Sequence, residues 1–333
     1  MRLGPVAGAL ALALTLAACT GSPGAGSPGT AATTSASSTG SQSAPRGSST
    51  ATSTAPTTNA TTSPAASRPP SAPTARGVDK VLVFVVENHS AAQMADQMPY
   101  AASLGQRYGL ATAYTASTHP SLPNYLVMAA GSTFGVRDDA SPSAHPLSGP
   151  SVFGLALEHG RTAGLFAEGM TSTCQLTPQG RYAPKHNPWA YFADERAACR
   201  RFDRPLPDLG PAVTRGTLPS VGMVIPDLCN DAHDCSLAGA DRWFAGWMRR
   251  VQAGPDWRSG RLLVVLTADE DDKHAGNRVL TVFANPALHH RVVRTPLTHY
   301  SLAALLAAAG GAGPPRSAAS APSIAKALGL RVS

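Results

Sequence analysis

Apolar runs of strand length alternate with longer amphipathic segments between residue 79 and about residue 310. Val81 to Val86 form a continuous run of six apolar residues, mostly β-branched, which is typical of a strand buried on both faces. Five further segments predict strands on the same grounds: "GLATAYTAST", "TAGLFAE", "SVGMVIPD", "RLLVVLTADEDD" and "RVLTVFANP".

The segments between these runs predict helices. One begins at Ser121 and ends at Gly131. Strands and helices that alternate in this way form a mostly parallel sheet covered on both faces, and ligands bind beyond the carboxyl ends of its strands. The other predicted helices are "AAQMADQMPYAASLGQRYG", "GPSVFGLALEHG", "GADRWFAGWMRRVQAG" and "THYSLAALLAAAG".

The two ends of the chain depart from this pattern. Residues 1–19 join an early arginine, the apolar run "VAGALALALTLAA" and Cys19, which predicts a signal peptide with a lipobox and an acylated Cys19. An ordinary secretory signal with an incidental cysteine is the alternative. Residues 20–78 are mainly Ser, Thr, Ala, Gly and Pro and predict a disordered linker. This leaves 79–310 as one globular domain, followed by a tail, 311–333, in which "APSIAKALGL" predicts a short helix.

The net charge of +7 narrows the classes of partner. Four arginines lie in the signal and the linker, at positions 2, 46, 68 and 76, so the excess in the domain is modest. It suits small anionic substrates or anionic surfaces. Because no basic stripe is interleaved with aromatic residues, we expect no nucleic-acid partner. We also expect a monomer.

Four cysteines remain beside Cys19, namely Cys174, Cys199, Cys229 and Cys235. An even number of cysteines in an exported chain predicts disulfides. The local spacing favours the pairs Cys174–Cys199 and Cys229–Cys235. A zinc site is the alternative, but the spacings are not CxxC and an oxidising compartment argues against it.

Three predicted strands end in polar clusters of the same chemical kind. These clusters are residues 87–89, which read Glu-Asn-His, residues 230–234 and the four acids at 269–272. Parallel strands would bring the clusters to one rim, where carboxylates at close range repel and need either a cation between them or raised pKa values. Solvated loop ends are the alternative, which we prefer for Asp234 and Asp272. The predicted ligands of a divalent metal are Glu87, Asn88, Asp269 and Glu270.

Ser121 stands at the start of a predicted helix, in the segment "STHPSLPNYLVM". A serine there is ordinarily an N-cap. The same position exposes a nucleophile to backbone N–H groups and to the positive end of the helix dipole, which stabilise a phosphate. A hydroxyl that touches a metal also loses its proton more easily. Ser121 is therefore a candidate nucleophile and a candidate metal ligand.

Six segments in this order resemble the bacterial phosphoesterase family that includes acid phosphatases and phospholipases C, within the alkaline phosphatase-like superfamily. They are "VVENHS", "THPSLPNYL", "KHNPWAYF", "PDLCNDAHDCS", "LTADEDD" and "THYSL". The resemblance implies a three-layer α/β/α sandwich and hydrolysis of a phosphate ester through a phosphoserine. It also implies that Ser121 is the nucleophile and that Glu87, Asn88, Asp269 and Glu270 bind the metal.

Further site residues are predicted from the same segments. His233 is the candidate that protonates the leaving oxygen, because imidazole can do so near neutral pH; a loop histidine bonded to backbone is the alternative. His119 can equally be a structural turn residue, and His299 can serve the site or only a helix cap. The predicted contacts to substrate or phosphate are His119, Asn124, Lys185, His186 and Asp231.

The sequence thus predicts a lipid-anchored phosphoesterase at the outer face of the bacterial membrane, dependent on a divalent metal. Family members often carry glycines after the Asp-Glu pair, where this chain reads "DEDDKHAGN", so extra acids there bind a second cation or are exposed. The short domain favours small phosphomonoesters over phospholipids. The alternatives are a non-catalytic lipoprotein that binds phosphate or anionic glycans, a phospholipase C acting on diesters, and transfer of a phospho-group to a cell-wall polymer.

Overall fold

The computed structural model describes residues 77–333. The predicted signal peptide, the acylation of Cys19 and nearly all of the predicted linker lie outside the described residues. Within the described part of the chain, no helix combines the length and the apolar character needed to cross a membrane.

Eight strands form the central sheet in the order β5-β4-β6-β1-β7-β8-β2-β9, and β3 pairs with β10 in a separate two-stranded sheet. Only β8 runs antiparallel to its neighbours, β7 and β2, so the sheet is mostly parallel as predicted. The strands are β1 Lys80–Val86, β2 Gly109–Ala111, β3 Tyr114–Thr115, β4 Ala163–Ala167, β5 Asp203–Pro205, β6 Val221–Ile225, β7 Leu262–Ala268, β8 Thr281–Ala284, β9 Arg291–Val293 and β10 Leu297–Thr298.

Helices cover both faces of the sheet, which confirms the predicted three-layer α/β/α architecture. On one face α1, α2, α6, α7 and α8 contact one another, and on the other α3, α4, α9 and α10 do so. The helices are α1 Ala91–Gln97, α2 Pro99–Arg107, α3 Ser121–Ala130, α4 Val152–Glu158, α5 Arg196–Phe202, α6 Leu209–Arg215, α7 Leu237–Ala253, α8 Pro255–Arg258, α9 His299–Ala309 and α10 Ile324–Leu328.

The central strand shows why the apolar runs are continuous. β1 lies between β6 and β7, and Val81 to Val86 are all buried because helices cover both sides of the sheet. On one side, the Phe84 ring meets the edge of Phe244 in α7, with ring centroids 5.2 Å apart. Burial of this kind orders the strand up to its carboxyl end, where the polar residues begin.

Two predicted elements are divided in the structure. The helix predicted from residue 91 onward is two helices, because Pro99 has no N–H to donate and begins α2 instead of continuing α1. Asp241 of α7 accepts hydrogen bonds from the Tyr100 and Ala101 amides at 2.9 Å and so caps the new helix. The strand predicted from "GLATAYTAST" divides into β2 and β3, which belong to different sheets.

Both favoured disulfides are present. Cys174 pairs with Cys199 and Cys229 pairs with Cys235, so all four thiols are used without zinc. The tail also contains the short helix that its sequence predicts, α10. Beyond α10 the tail returns to the beginning of the domain, where Val78 forms a bridge with Val332.

Candidate active site

Loops that follow three neighbouring strands meet at the carboxyl edge of the sheet. Glu87 comes directly after β1, Asp269 directly after β7, and Asp231 lies in the loop after β6. The Glu87 amide donates to the Asp231 carbonyl at 2.8 Å, and the Asp269 amide donates to the Val86 carbonyl at 3.0 Å. These backbone bonds bring one residue of each polar strand end to a common point.

Glu87 lies at the centre of this group of residues. Its side chain is fully buried and accepts hydrogen bonds from Ser121 Oγ at 2.9 Å and from the Tyr125 hydroxyl. His186 Nε2 lies 3.2 Å from Glu87 Oε2. Burial by itself raises the pKa of Glu87, but the charge of His186 and the hydrogen bonds from His186 and Tyr125 outweigh it and lower the pKa to about 2. Glu87 is therefore ionised at neutral pH.

Ser121 is the first residue of α3, and the chain reaches it through Pro120 in an extended conformation. The positive end of the helix dipole lies at this serine. Leu122 N–H, in the first turn, donates to Asp139 Oδ1 at 2.9 Å. Tyr125 lies four residues after Ser121, on the same side of the helix, so both hydroxyls reach Glu87.

His186 joins Glu87 to Asp231. Its Nδ1 lies 3.2 Å from Asp231 Oδ2, opposite the Nε2 atom that faces Glu87, and its ring stacks on Tyr125 with centroids 5.3 Å apart. Burial lowers the pKa of His186, but the Glu87 charge and the two carboxylate contacts prevail and raise the pKa to about 9. Burial raises the pKa of Asp231 to about 6.

Asp269 adds a third carboxyl group. Its Oδ1 accepts from the Asn88 backbone amide at 3.0 Å, and Asn88 adopts a positive φ of 55° in making this turn. The Asn88 side chain remains nearby, with Nδ2 3.5 Å from Glu87 Oε2. Burial, followed by the charges of Glu87 and Glu270, raises the pKa of Asp269 well above its usual range.

These side chains fit a divalent cation. Ligand atoms of Glu87, His186 and Asp231 all lie within 4.8 Å of one another. Asp269 Oδ2 is buried without a hydrogen-bond partner, and Asp231 Oδ2 has only the His186 Nδ1 contact at 3.2 Å. Buried carboxylate oxygens require a partner, and oxygen-rich sets with one imidazole suit magnesium, manganese or zinc. His186 and Asp231, which the sequence suggested as phosphate contacts, thus lie with the predicted ligands Glu87 and Asp269.

Glu270 lies in a separate set of contacts. Its Oε2 accepts from Asn124 Nδ2 at 2.9 Å, and its Oε1 lies 3.1 Å from His119 Nδ1. Asn124 also accepts from the Ser117 and Thr118 amides at 3.0 Å, so it ties the loop before α3 to Glu270. Burial raises the pKa of Glu270 to about 7. His119 and Asn124 therefore contact the predicted metal ligand Glu270.

Lys185 and His233 lie at the outer rim of the site. Lys185 Nζ is 3.2 Å from Asp139 Oδ2 and 3.4 Å from His233 Nε2, and His233 Nδ1 is 2.7 Å from Asp234 Oδ1. The His233 amide donates to Asp231 Oδ1 at 2.7 Å, which links the rim to the buried cluster. The Cys229–Cys235 disulfide encloses this loop.

His299, whose role the sequence leaves open, lies beneath the site. Its Nε2 is 2.6 Å from the Asp269 carbonyl, and the Tyr114 hydroxyl lies 3.1 Å from its Nδ1. Burial lowers the pKa of His299 to about 4, so the ring is neutral at neutral pH. It holds the backbone of Asp269 in place.

The sequence missed two residues that contact the site. Tyr125 could have been predicted, because it lies one helical turn after the candidate nucleophile Ser121 within "THPSLPNYL". Asp139 could not have been predicted, since it belongs to an irregular segment whose return to the start of α3 depends on tertiary packing.

Comparison with known proteins identifies the class of this enzyme. The model of the Phosphoesterase family matches residues 89–309, and the chain belongs to that family. The match begins two residues after Glu87. Phosphatidylinositol-3-phosphatase of Mycobacterium tuberculosis is 31% identical over 234 residues, which are 68% of this chain and 75% of that protein.

An acid phosphatase of Aspergillus fumigatus is 28% identical over 218 residues, which are 61% of this chain and 48% of that protein. The chain therefore aligns with about half of the fungal enzyme. A protein of the alkaline phosphatase superfamily from Vibrio parahaemolyticus shares the fold, with a TM-score of 0.50, 12% identity, and coverage of 70% of this chain and 67% of that chain.

The family and its named relatives make this protein a hydrolase of phosphoric ester bonds. Its two disulfides indicate an exported protein, because disulfides persist in oxidising compartments.

Proposed function

We propose that the protein is a metal-dependent phosphomonoesterase in which Ser121 is the nucleophile. The observation that carries this proposal is the contact of Ser121 Oγ with Glu87 Oε2 at 2.9 Å, at the start of a helix and within a cluster of buried carboxyl groups. A serine that only capped α3 would bond a backbone amide of its own helix, whereas this hydroxyl points to a carboxylate 34 residues away in sequence.

Glu87, Asp231, Asp269 and His186 would hold the metal, with Ser121 beside it. When bound, the ion would act as a Lewis acid that stabilises the serine alkoxide and the charge on the phosphoryl group. The side chains supply the positioning. Glu87 accepts the Ser121 hydrogen bond and fixes the direction of the attacking oxygen, and the Tyr125 hydroxyl donates to the same carboxylate.

The proposed reaction has two displacements. Ser121 loses its hydroxyl proton to solvent, and its Oγ forms a bond to phosphorus while the bond from phosphorus to the ester oxygen breaks and the ester oxygen leaves with a proton. His233, on the open rim, is our candidate for donating that proton. Water then attacks phosphorus as the bond to Ser121 breaks, Ser121 Oγ takes up a proton from that water, and inorganic phosphate leaves. The Leu122 amide and Lys185 would donate hydrogen bonds to phosphoryl oxygens, since both already donate to the carboxylate of Asp139.

We propose phosphomonoesters as substrates, with phosphorylated inositol head groups among the first to be tested. The Mycobacterium tuberculosis relative is named for a phosphatase reaction on phosphatidylinositol 3-phosphate, and the fungal relative for phosphatase activity. Both names indicate a monoester. We further propose that acylation at Cys19 places the enzyme at the outer membrane surface, on the strength of the lipobox-like sequence before it.

The test is an assay of the mature chain from Thr20, with disulfides intact, on p-nitrophenyl phosphate and bis(p-nitrophenyl) phosphate. We expect the monoester to be preferred and the activity to fall to background on chelation and in Ser121→Ala. Ser132→Ala serves as the control, because Ser132 lies just beyond the other end of α3. Full activity in Ser121→Ala would reject the nucleophile, full activity after chelation would reject the metal, and preference for the diester would reject the substrate class.

A further inference from the structure

The edge of the sheet formed by β9 carries a basic groove on the side away from β2. The groove has a volume of 580 Å³ and runs between β9 and α10. Its polar and charged lining includes Arg291, Arg294, Thr295, Ser323 and Lys326. We refer to these residues, together with Val292, as the β9 groove.

Among the described residues that line the groove, none is Asp or Glu. Residues 273–333 contain seven Lys or Arg residues and no Asp or Glu, and residues 97–137 contain no Asp or Glu either. The elements that pack against β9 and α10, namely β2 and α9, come from these same two segments. Arg294 and Lys326 are exposed, and Arg291 is exposed while its guanidinium donates to the Ala327 carbonyl.

The basic excess belongs to the C-terminal segment of the sequence that contains β9 and α10. Residues 77–272 contain 16 Lys or Arg against 20 Asp or Glu, whereas residues 273–333 carry a net charge of +7. Three of these seven basic residues, Arg291, Arg294 and Lys326, line the β9 groove, and a basic patch of this kind attracts an anionic surface.

An exposed apolar side chain lies in the middle of the basic strand. Val292 is 45% exposed, and among the described residues only one other large hydrophobic side chain, Leu176, is classed as exposed. Charged residues alone would serve to keep an edge strand from pairing with another chain, and an exposed valine does not help in that role. Basic side chains around an apolar one are instead typical of surfaces that bind the interface of an anionic bilayer.

The first described residues of the chain lie beside the C-terminal tail that carries Lys326. The Val78 amide donates to the Arg331 carbonyl at 2.8 Å, and the Ser333 amide donates to the Val78 carbonyl at 3.0 Å. The 76 residues before Gly77 therefore join the domain next to the segment that carries Lys326.

We propose that the β9 groove docks the domain on an anionic phospholipid surface. Arg294 and Lys326 contact the phosphodiester groups of the lipids, and Val292 enters the interface between them. The docking is separate from catalysis and does not depend on the proposed metal or nucleophile. It would hold the domain close to the membrane when the tether alone would let it move away.

The test is co-sedimentation of the mature chain from Thr20, which lacks Cys19 and so cannot be acylated there. Vesicles of phosphatidylcholine are compared with vesicles that also contain phosphatidylglycerol, at low and high salt. We expect binding only to the anionic vesicles, and weaker binding at high salt. Arg294→Gln with Lys326→Gln should weaken binding about 25-fold, from about 5-fold for each charge removed near such a surface.

A matched control removes two arginines from the opposite edge of the sheet. Arg204→Gln with Arg215→Gln changes the net charge equally, in a groove that also contains Asp208, and should change binding less than 3-fold. Val292→Ser should weaken binding to anionic vesicles without altering hydrolysis of p-nitrophenyl phosphate. Hydrolysis at the wild-type rate in every variant shows that the variants are folded.

Three results would overturn the proposal. The first is equal binding to neutral and anionic vesicles. The second is equal loss of binding in the two double variants, which would indicate net charge and not the β9 groove. The third is complete displacement from vesicles by millimolar inorganic phosphate at constant ionic strength, which would make the groove a site for free anions.

Discussion

Two buried glutamates at the candidate active site show that burial alone does not set the charge of a carboxyl group. Glu87 follows β1 and Glu270 follows the neighbouring strand β7, and both side chains are almost completely buried. The pKa of Glu87 is lowered to about 2, whereas the pKa of Glu270 is raised to about 7. Burial raises both, and the difference comes from their partners.

The partners differ in kind. Glu87 faces His186, a buried imidazole whose pKa is raised to about 9, and accepts the hydrogen bonds of two hydroxyl groups. Glu270 is bonded by the neutral amide of Asn124 and contacts the more exposed His119. Glu87 is thus ionised beside Ser121, while Glu270 stabilises the loop that precedes α3. We therefore expect the two glutamates to have unequal roles, although the sequence treated them as equivalent ligands.

The largest expected effect comes from neutralising the two glutamates in turn. Glu87→Gln should lower kcat/KM for p-nitrophenyl phosphate about 10³-fold, because it removes the anion that orients Ser121 and a proposed metal ligand. Glu270→Gln should lower it only about 10–100-fold, as for residues that act through their neighbours. Steady-state kinetics and metal content of the two variants provide the measurement. Equal losses would abolish the distinction between the glutamates.

A third buried carboxyl group, Asp203, extends the comparison to a site whose nearby cation, Arg196, is only half-buried. Burial raises the pKa of Asp203 to about 7, and the hydrogen bond from Asn187 at 2.8 Å and the charge of Arg196 only partly offset it. The unfolded chain binds this proton only below about pH 4, so the folded state binds more protons between pH 4 and 7. Stability therefore falls as the pH rises through that window.

Asp203→Asn should remove this loss of stability at high pH, because the amide does not ionise. We expect the variant to exceed the wild type in free energy of unfolding by about 4 kcal/mol at pH 8 and to match it near pH 4. Urea denaturation at the two pH values provides the measurement, with the exposed Asp208→Asn as the control. A difference that does not change with pH would show that the charge of Asp203 is not its cause.

Tyr125→Phe tests the hydrogen bonds that keep Glu87 ionised. The substitution removes one donor to Glu87 and leaves the stacking on His186, so we expect kcat to fall about 10-fold with little change in thermal stability. Tyr114→Phe is the matched control, since Tyr114 is also fully buried but bonds His299. A larger loss of activity in the control would place the critical hydroxyl elsewhere.

The smallest expected effect concerns Asp139, which holds both the Leu122 amide and Lys185. If these two donors receive phosphoryl oxygens, the carboxylate competes with phosphate for them. Asp139→Asn should then lower the inhibition constant of inorganic phosphate about 3-fold, by removing a negative charge close to the anion. Asp138→Asn, at the preceding residue, should leave the constant unchanged. Weaker phosphate binding in Asp139→Asn would mean that Asp139 positions Lys185 for the substrate.

The sequence predicted those features that follow from local pattern. The apolar run of β1 ends at Glu87, and the helix signal places Ser121 at the start of α3, so both residues were found without tertiary information. The two disulfides followed from local spacing because their loops are short.

Features that depend on the packing of distant segments were not predictable. His186 lies in a short 3₁₀ helix at Pro184–His186, and only tertiary structure brings its ring between Glu87 and Asp231. The different partners of Glu87 and Glu270 likewise arise from α3 and from the loop before it. The motif could identify the acidic pair, but it could not show which carboxyl group would face a cation.

The most direct test of the central claim is to identify the residue that carries phosphate during turnover. The mature chain is mixed with p-nitrophenyl phosphate, quenched in acid within the first turnovers and digested for mass spectrometry. We predict one phosphoryl group on the peptide that contains Ser121, absent after chelation and in Ser121→Ala. A phosphoryl group on any other residue, or turnover at the full rate by Ser121→Ala, would contradict the account.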